Sequence, residues 1–222
     1  MTIGIIDYGM GNLRSVQKGF AHVGAEAMIL SSPRQITTCD RVVLPGVGAF
    51  ANGMSNLKSL GWSDAILSFL DSGRPFLGVC LGMQLLFEGS QEDASDREYP
   101  VLGLGILPGQ VVRFEGPKFG PDKLKVPHTG WNTITWLRDD PLLTGLDQSV
   151  SVYFVHSYYA VPATDRSTVV VSACADYGGP FCCSIWHDHI WATQFHPEKS
   201  QRVGLQMLAN FAGLNSPGCN SA

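Results

Sequence analysis

Apolar positions along the 222-residue chain fall into two alternating patterns. Short apolar runs, Ile3 to Ile6, Ala27 to Leu30, Arg41 to Leu44 and Phe76 to Val79, are bounded by turn residues and predict buried strands. Between them apolar residues recur at helical spacing. Leu13, Val16, Phe20 and Val23 predict a helix that Gly24 ends, and Leu57, Leu60, Ile66, Leu67, Phe69 and Leu70 predict helical structure up to Gly73. Strands alternating with helices in this way are most simply joined as a parallel, doubly wound sheet. Beyond Leu102 the pattern changes to turns and extended segments: Gln110 to Phe114, Trp131 to Leu137, Val150 to Val161, and a hairpin from Phe181 to Phe195 that turns at His187-Asp188-His189. Glu88 to Tyr99 is polar and acidic and reads as a surface loop, and Val203 to Phe211 predicts a last helix. The expected fold class is α/β: one domain over residues 1–214, with a mostly parallel central sheet flanked by helices and a strand-rich second half, then a polar tail at 215–222.

Composition narrows the function classes. Net charge is -4, and the basic residues form nothing denser than the sparse Lys118, Lys123, Lys125 group, which argues against a nucleic-acid partner. The N-terminal Met1 to Asp7 carries no basic leader and meets an acid early, and no apolar run is long enough to span a bilayer, so a cytoplasmic protein without membrane contact is expected. The six cysteines lack C-x-x-C spacing, which disfavours a disulfide framework and a zinc site; no metal is expected.

One cysteine stands apart. Cys80 follows the strand-like run Phe76 to Val79 and precedes the apolar Met83 to Phe87, which reads as a helical face. Gly78 and Gly82 flank it two residues away on either side, as a sharp strand-to-helix turn requires when strand and helix pack closely. That places the sulfur at the C-terminal edge of a sheet, beside unpaired N–H groups that favour thiolate. The plainer alternative is a small buried hydrophobe. Pro45-Gly46-Val47-Gly48-Ala49-Phe50 follows the preceding strand and so falls at the same edge. It is either an ordinary glycine turn or an oxyanion strand, whose N–H near Val47 or Gly48 joins that of Leu81. Asp7 to Asn12, with Gly9 and Gly11, lacks the G-x-G-x-x-G spacing and the lysine of nucleotide-binding loops.

A second informative stretch is His196-Pro197-Glu198. In extended backbone residues two apart share a face, so Glu198 orients the His196 imidazole and the other ring nitrogen meets the thiol: nucleophile, base and orienter. The alternative is a capped turn before the last helix. His128, in a probable loop with Trp131, has no acid nearby in sequence to make it a base, and Trp131 reads as an interface anchor. Within the aromatic Tyr153 to Tyr159, the backbone of Ser157 and Tyr158 suits a small substrate, with core packing as the alternative.

Gly78-Val79-Cys80-Leu81-Gly82-Met83-Gln84 and Gln194-Phe195-His196-Pro197-Glu198-Lys199-Ser200, in that order, resemble the class I (triad) glutamine amidotransferases, over nearly the whole chain from Ile3 to about Leu214. The resemblance implies that family's single-domain fold, glutamine as substrate, Cys80, His196 and Glu198 as catalytic residues, an oxyanion hole at Val47, Gly48 and Leu81, and glutamine held against Gly48, Gln84, Ser157 and Tyr158. It calls for no cofactor. Asp7 to Leu13, Pro45 to Phe50, Pro127 to Asn132 and His156 to Tyr159 are similar to the histidine-biosynthetic branch, a glutaminase working beside a separate (β/α)8 cyclase subunit that acts on a phosphoribosyl-formimino ribonucleotide. That implies partner contacts through Trp131 and the Asp7 to Asn12 loop, Asn12 included. Thr129 stands where a methionine is common in that branch, and the Gly179 to Cys183 stretch and the C-terminal tail are less typical of it. Rival readings are another amidotransferase branch, a stand-alone hydrolase of the same fold, and a non-catalytic binding module.

Overall fold

The computed structural model describes residues 1–92, 100–163 and 170–213. The early strands form as the apolar runs predict: β1 (Ile3–Ile6), β2 (Ala27–Leu30), β3 (Arg41–Gly46) and β4 (Phe76–Cys80). They are followed by β5 (Phe87–Ser90), β6 (Val101–Leu102), β7 (Leu107–Arg113), β8 (His128–Trp136), β9 (Ser149–His156) and β10 (Tyr158–Pro162). The last three are β11 (Val171–Asp176), β12 (Pro180–His187) and β13 (Ile190–Thr193). The helices are α1 (Leu13–His22), α2 (Phe50–Ser59), α3 (Trp62–Asp71), α4 (Leu81–Gln84) and α5 (Gln201–Phe211).

Among the described residues the main sheet runs β2-β1-β3-β4-β13-β12-β11-β8-β9, and a smaller one β10-β7-β5-β6. Pairing is parallel from β2 to β13 and antiparallel from β13 to β9. The α/β class and the strand-rich second half are as expected, and the sheet is mixed, with its parallel part confined to the half that carries Cys80. Strand β13 is the hinge of that arrangement. It pairs with β4 in parallel, Thr193 against Val79, and so carries the chain into His196 at the edge where β4 delivers Cys80.

Apolar side chains fill both faces of the main sheet. On one, Ile6, Leu44, Phe50, Leu57, Trp62, Ile66 and Phe76 are buried; on the other, Ile5, Phe20, Val43, Leu77, Phe154, Phe195 and Leu208. Neighbouring strand residues thus face opposite layers, as the two-residue repeat demands.

Four local readings are corrected. The apolar Met83 to Phe87 is not a continuing helix: α4 is a single turn, and Phe87 opens β5, because a short apolar run fits a buried strand as well as a helix. Glu88 to Ser90 is therefore strand rather than loop, with only residues 93–99 of that segment outside the described part. His128 and Trp131 lie not in a loop but on β8, paired with His156 and Tyr153. His196 to Glu198 is not extended, since Pro197 opens a 3-10 turn over Pro197–Lys199, where its fixed φ and missing N–H are harmless. The segment from Leu57 to Gly73 is two helices, broken at Gly61. The expected polar tail, 215–222, lies outside the described residues.

Candidate active site

Cys80 ends β4 with φ 55° and ψ −109°, a left-handed conformation that costs a non-glycine residue energy and persists only where the surroundings enforce it. The enforcement is close packing. A Cβ on Gly82 would stand 1.8 Å from the Leu44 carbonyl oxygen, and one on Gly78 would stand 2.9 Å from that of Gly82, so β3, β4 and α4 approach as only glycine permits. Beside Cys80, Gly46 is its register partner, and the chain leaves β3 through Val47 and Gly48, the latter at φ +106°. The Met10 methyl group presses on Gly48, which puts the Asp7 to Asn12 loop directly against this segment.

A pocket of about 360 Å³ opens here, lined by Val47, Gly48, Cys80, Leu81, Gln84 and Glu92 on one side and by Pro127 and Val155 to Tyr158 on the other. A larger cavity lies against the β2 edge, lined by no cysteine or histidine, so chemistry rather than volume marks the site. Leu81 opens α4, so its N–H has no intrahelical acceptor and is available at the sulfur's side.

His196 Nδ1 lies 2.8 Å from Glu198 Oε1, and both side chains are 3% exposed. The 3-10 turn, rather than extended backbone, brings them together. Burial by itself favours the neutral ring, but the neighbouring Cys80 sulfur and the Glu198 carboxylate outweigh it and raise the imidazole to about 10. Nε2 is buried with no hydrogen-bond partner among the described residues. The Cys80 sulfur thus stands beside the ring without a well-formed hydrogen bond to it, a looseness common in unliganded sites that tightens around substrate. The sulfur is 3.7 Å from Gln194 Nε2, which donates to it, and 4.0 Å from the Val155 carbonyl.

The predicted catalytic, oxyanion and substrate-binding residues therefore converge: Val47, Gly48, Cys80, Leu81, Gln84, Ser157 and Tyr158 line one pocket, with His196 and Glu198 beside its sulfur. Gln84 is almost fully buried and its amide nitrogen is committed to Tyr158 O at 2.9 Å and Gln194 Oε1 at 3.0 Å. The two interface candidates stand apart from the pocket. Asn12 caps α1, accepting from Ser15 N at 3.3 Å, and lines a separate groove with Asp7 and Gly11. Trp131 is 49% exposed on β8, its ring edge-on to Tyr153. Glu92 went unread in the sequence, where it sits in an acidic stretch without pattern; its Oε2 accepts from Phe50 N at 2.9 Å, so it ties the start of α2 to the pocket wall. His156, Pro127 and Gln194 stood in the sequence only as members of the resembling motifs, with no role attached.

A strained cysteine at a strand-to-helix turn, a buried His–Glu pair beside it and a glycine-bearing strand across the pocket form an arrangement suited to a cysteine nucleophile acting on an amide. The sequence profile of the family described as Glutamine amidotransferase class-I matches residues 4–213, and the chain belongs to that family. Solved structures of low identity share its fold: one titled "Structure of PurLQS from Thermotoga maritima" (TM-score 0.71, 13% identity, 96% of this chain and 98% of that one) and one titled "Crystal structure of glutamine amidotransferase" (TM-score 0.69, 18% identity, 95% and 98%). Within the family its relatives include the imidazole glycerol phosphate synthase subunit HisH of Syntrophotalea carbinolica, 53% identical over 95% of this chain and 98% of that protein, and of Geobacter sulfurreducens, 50% identical over 96% and 98%. The chain belongs with these HisH subunits.

Proposed function

We propose that this chain is the glutaminase of an imidazole glycerol phosphate synthase, releasing ammonia from glutamine at Cys80 for a cyclase subunit in histidine biosynthesis. The observation that carries the chemistry is the convergence of the strained Cys80 with the buried His196–Glu198 pair in one pocket. His196 takes the thiol proton, and the sulfur attacks the side-chain amide carbon of glutamine. The resulting oxyanion is held by the N–H of Leu81 and that of Val47 or Gly48, donors that act where charge develops. His196 then gives its proton to the departing nitrogen, the C–N bond breaks, and ammonia leaves a Cys80 thioester. Water, deprotonated by His196, attacks the thioester, releasing glutamate and returning the thiol. Gly48, Gln84 and the Ser157 and Tyr158 backbone position the glutamine, and Glu92, the acid in the pocket wall, pairs with its ammonium.

Ammonia in neutral water is mostly protonated and has lost its reactive lone pair, so useful transfer needs a sheltered path to an acceptor on a partner. The Asp7 to Asn12 loop and Trp131 supply the docking contacts. Because Met10 bears on Gly48, a partner seated on that loop also reaches the oxyanion strand, which supports a strand that becomes competent when the partner and its ligand are bound. No described helix is long and apolar enough to cross a membrane, and a cytoplasmic location is proposed on the biosynthetic role.

Glutamate release, measured with and without the cyclase subunit and its ribonucleotide, tests the reading. Wild-type turnover is expected to rise when both are added, and Cys80→Ala to lower it by about 10³-fold or more. Equal rates with and without partner would mark a stand-alone hydrolase instead.

A further inference from the structure

Behind the pocket lies a file of polar side chains, buried at His128, His156, Gln84 and Gln194 and half-buried at Asn132, in which only Gln84 has so far been given a part in the reaction. Asn132 Nδ2 is 3.3 Å from His128 Nε2, His128 Nδ1 is 3.1 Å from His156 Nε2, and His156 Nδ1 is 2.8 Å from the Tyr158 carbonyl oxygen. On the other side of that carbonyl, Gln84 Nε2 donates to it and also to Gln194 Oε1, and Gln194 Nε2 donates to the Cys80 sulfur.

The ends fix the direction of every link. A carbonyl only accepts, so His156 carries its proton on Nδ1 and accepts at Nε2. His128 must then donate from Nδ1 and accept at Nε2 from the Asn132 amide. The Asn132 orientation is itself pinned, Nδ2 donating to Asp176 O at 2.9 Å and Oδ1 accepting from Thr133 N at 2.7 Å. Aromatic rings enclose the imidazoles: Tyr177 stacks on His128 with centroids 3.9 Å apart, Phe154 at 4.8 Å, and Phe114 lies 5.3 Å from His156. Both rings are held neutral in this box, burial lowering His128 to about 4 and His156 to about 3. Each link is therefore satisfied in one arrangement only, and such a network specifies geometry as well as holding it.

The file's position gives it a task. It starts on β8, the strand that also presents Trp131, passes through the carbonyl of Tyr158 in the Val155 to Tyr158 pocket wall, and ends as an amide N–H on the nucleophile. We infer that Asn132, His128, His156 and Gln194 are positioning residues of the glutaminase, one hydrogen-bonded file that sets the glutamine-binding wall from β8 and steadies the Cys80 sulfur. This inference rests on the glutaminase reading above.

Glutamine turnover by the complex with its cyclase subunit and ribonucleotide tests it. His156→Phe removes both links and is expected to raise KM for glutamine about tenfold with a smaller change in kcat, the size of one lost buried hydrogen bond. His156→Asn, whose amide can take the place of Nδ1 toward Tyr158, is expected to recover most of that KM. Gln194→Met, similar in volume but unable to donate, is expected to lower kcat several-fold with little effect on KM. Combined with His156→Phe, its loss in kcat/KM falls short of the product of the single losses, as linked residues require. Should the apolar variants not fold, Asn132→Asp keeps the shape and replaces the first donor by an acceptor, and it too is expected to raise KM. Unchanged KM in Asn132→Asp and His156→Phe, or equal impairment of His156→Asn and His156→Phe with multiplicative losses, would overturn the file while leaving the glutaminase intact. A wild-type complex releasing no glutamate would overturn the underlying reading instead.

Discussion

Three imidazoles within this molecule are pushed in opposite directions, and the difference separates chemistry from scaffolding. His196 is raised to about 10: burial opposes its charge, and the Cys80 sulfur and Glu198 carboxylate overcome burial. His128 and His156 are lowered, mainly by burial, with no acid beside either in the file. A ring whose folded value exceeds the unfolded 6.5 contributes stability that is complete below 6.5 and is lost as pH rises toward about 10. Rings held below 6.5 contribute stability that is present above 6.5 and lost as pH falls toward about 4 and about 3. The melting temperature is therefore expected to fall on both sides of neutrality, and His196→Gln to flatten the alkaline limb while sparing the acid one. An unaltered alkaline limb in that variant, followed by calorimetry across pH, would contradict the assignment. The pairing of His196 with Glu198 was legible from spacing alone, although for the wrong backbone: two residues apart is close in an extended chain and also across the 3-10 turn that Pro197 starts. The neutral pair was not legible, because His128 and His156 are 28 positions apart and meet only through the register of β8 and β9.

Among elements, the strand-to-helix turn at Cys80 depends most on a single feature, the space left by missing side chains. Gly82 faces the Leu44 carbonyl at a distance that admits no Cβ, and the listening element here is β3, whose Pro45 and Gly46 lead into the oxyanion strand. Gly82→Ala is expected to cost about 3 kcal/mol through overpacking against rigid backbone, read as a lower denaturation midpoint, and to slow glutamate release in the fraction that folds. A variant as stable and active as wild type would mean that α4 can move away freely. The strands β1, β3 and β4 were readable because each is a continuous apolar run between turn residues, the mark of a strand buried on both faces. The end of α4 was not, since Leu85, Leu86 and Phe87 suit helix and strand alike, and the tertiary pairing of β5 with β7 decides between them. With β5 misread, Glu92 could not be placed at the pocket, because it is β5 that returns the chain there.

At the scale of the whole molecule, the site is a product of chain order. Parallel strands bring residues from Asp7, Gly46 and Cys80 to one sheet edge, and β13, more than a hundred positions after β4, inserts beside it to deliver His196. The antiparallel half adds what the parallel half lacks: the Val155 to Tyr158 wall, and on β8 an exposed Trp131, the proposed contact for a partner. The parallel half could be foreseen from alternating strand and helix patterns, whereas the order of β13, β12, β11, β8 and β9 depends on long-range pairings that no local pattern encodes. The glutaminase proposed above requires one thiol of this molecule to do covalent chemistry on glutamine. Besides Cys80, the described residues include Cys39, Cys174, Cys182 and Cys183, all free, and burial raises each of these four above the usual thiol range. The most direct measurement is peptide mapping by mass spectrometry after the complex is treated with an electrophilic diazoketone analogue of glutamine. A single adduct on Cys80 is expected, suppressed by excess glutamine and accompanied by loss of glutamate release; an adduct elsewhere, or full labelling of Cys80 with activity retained, would rule out covalent chemistry at this thiol.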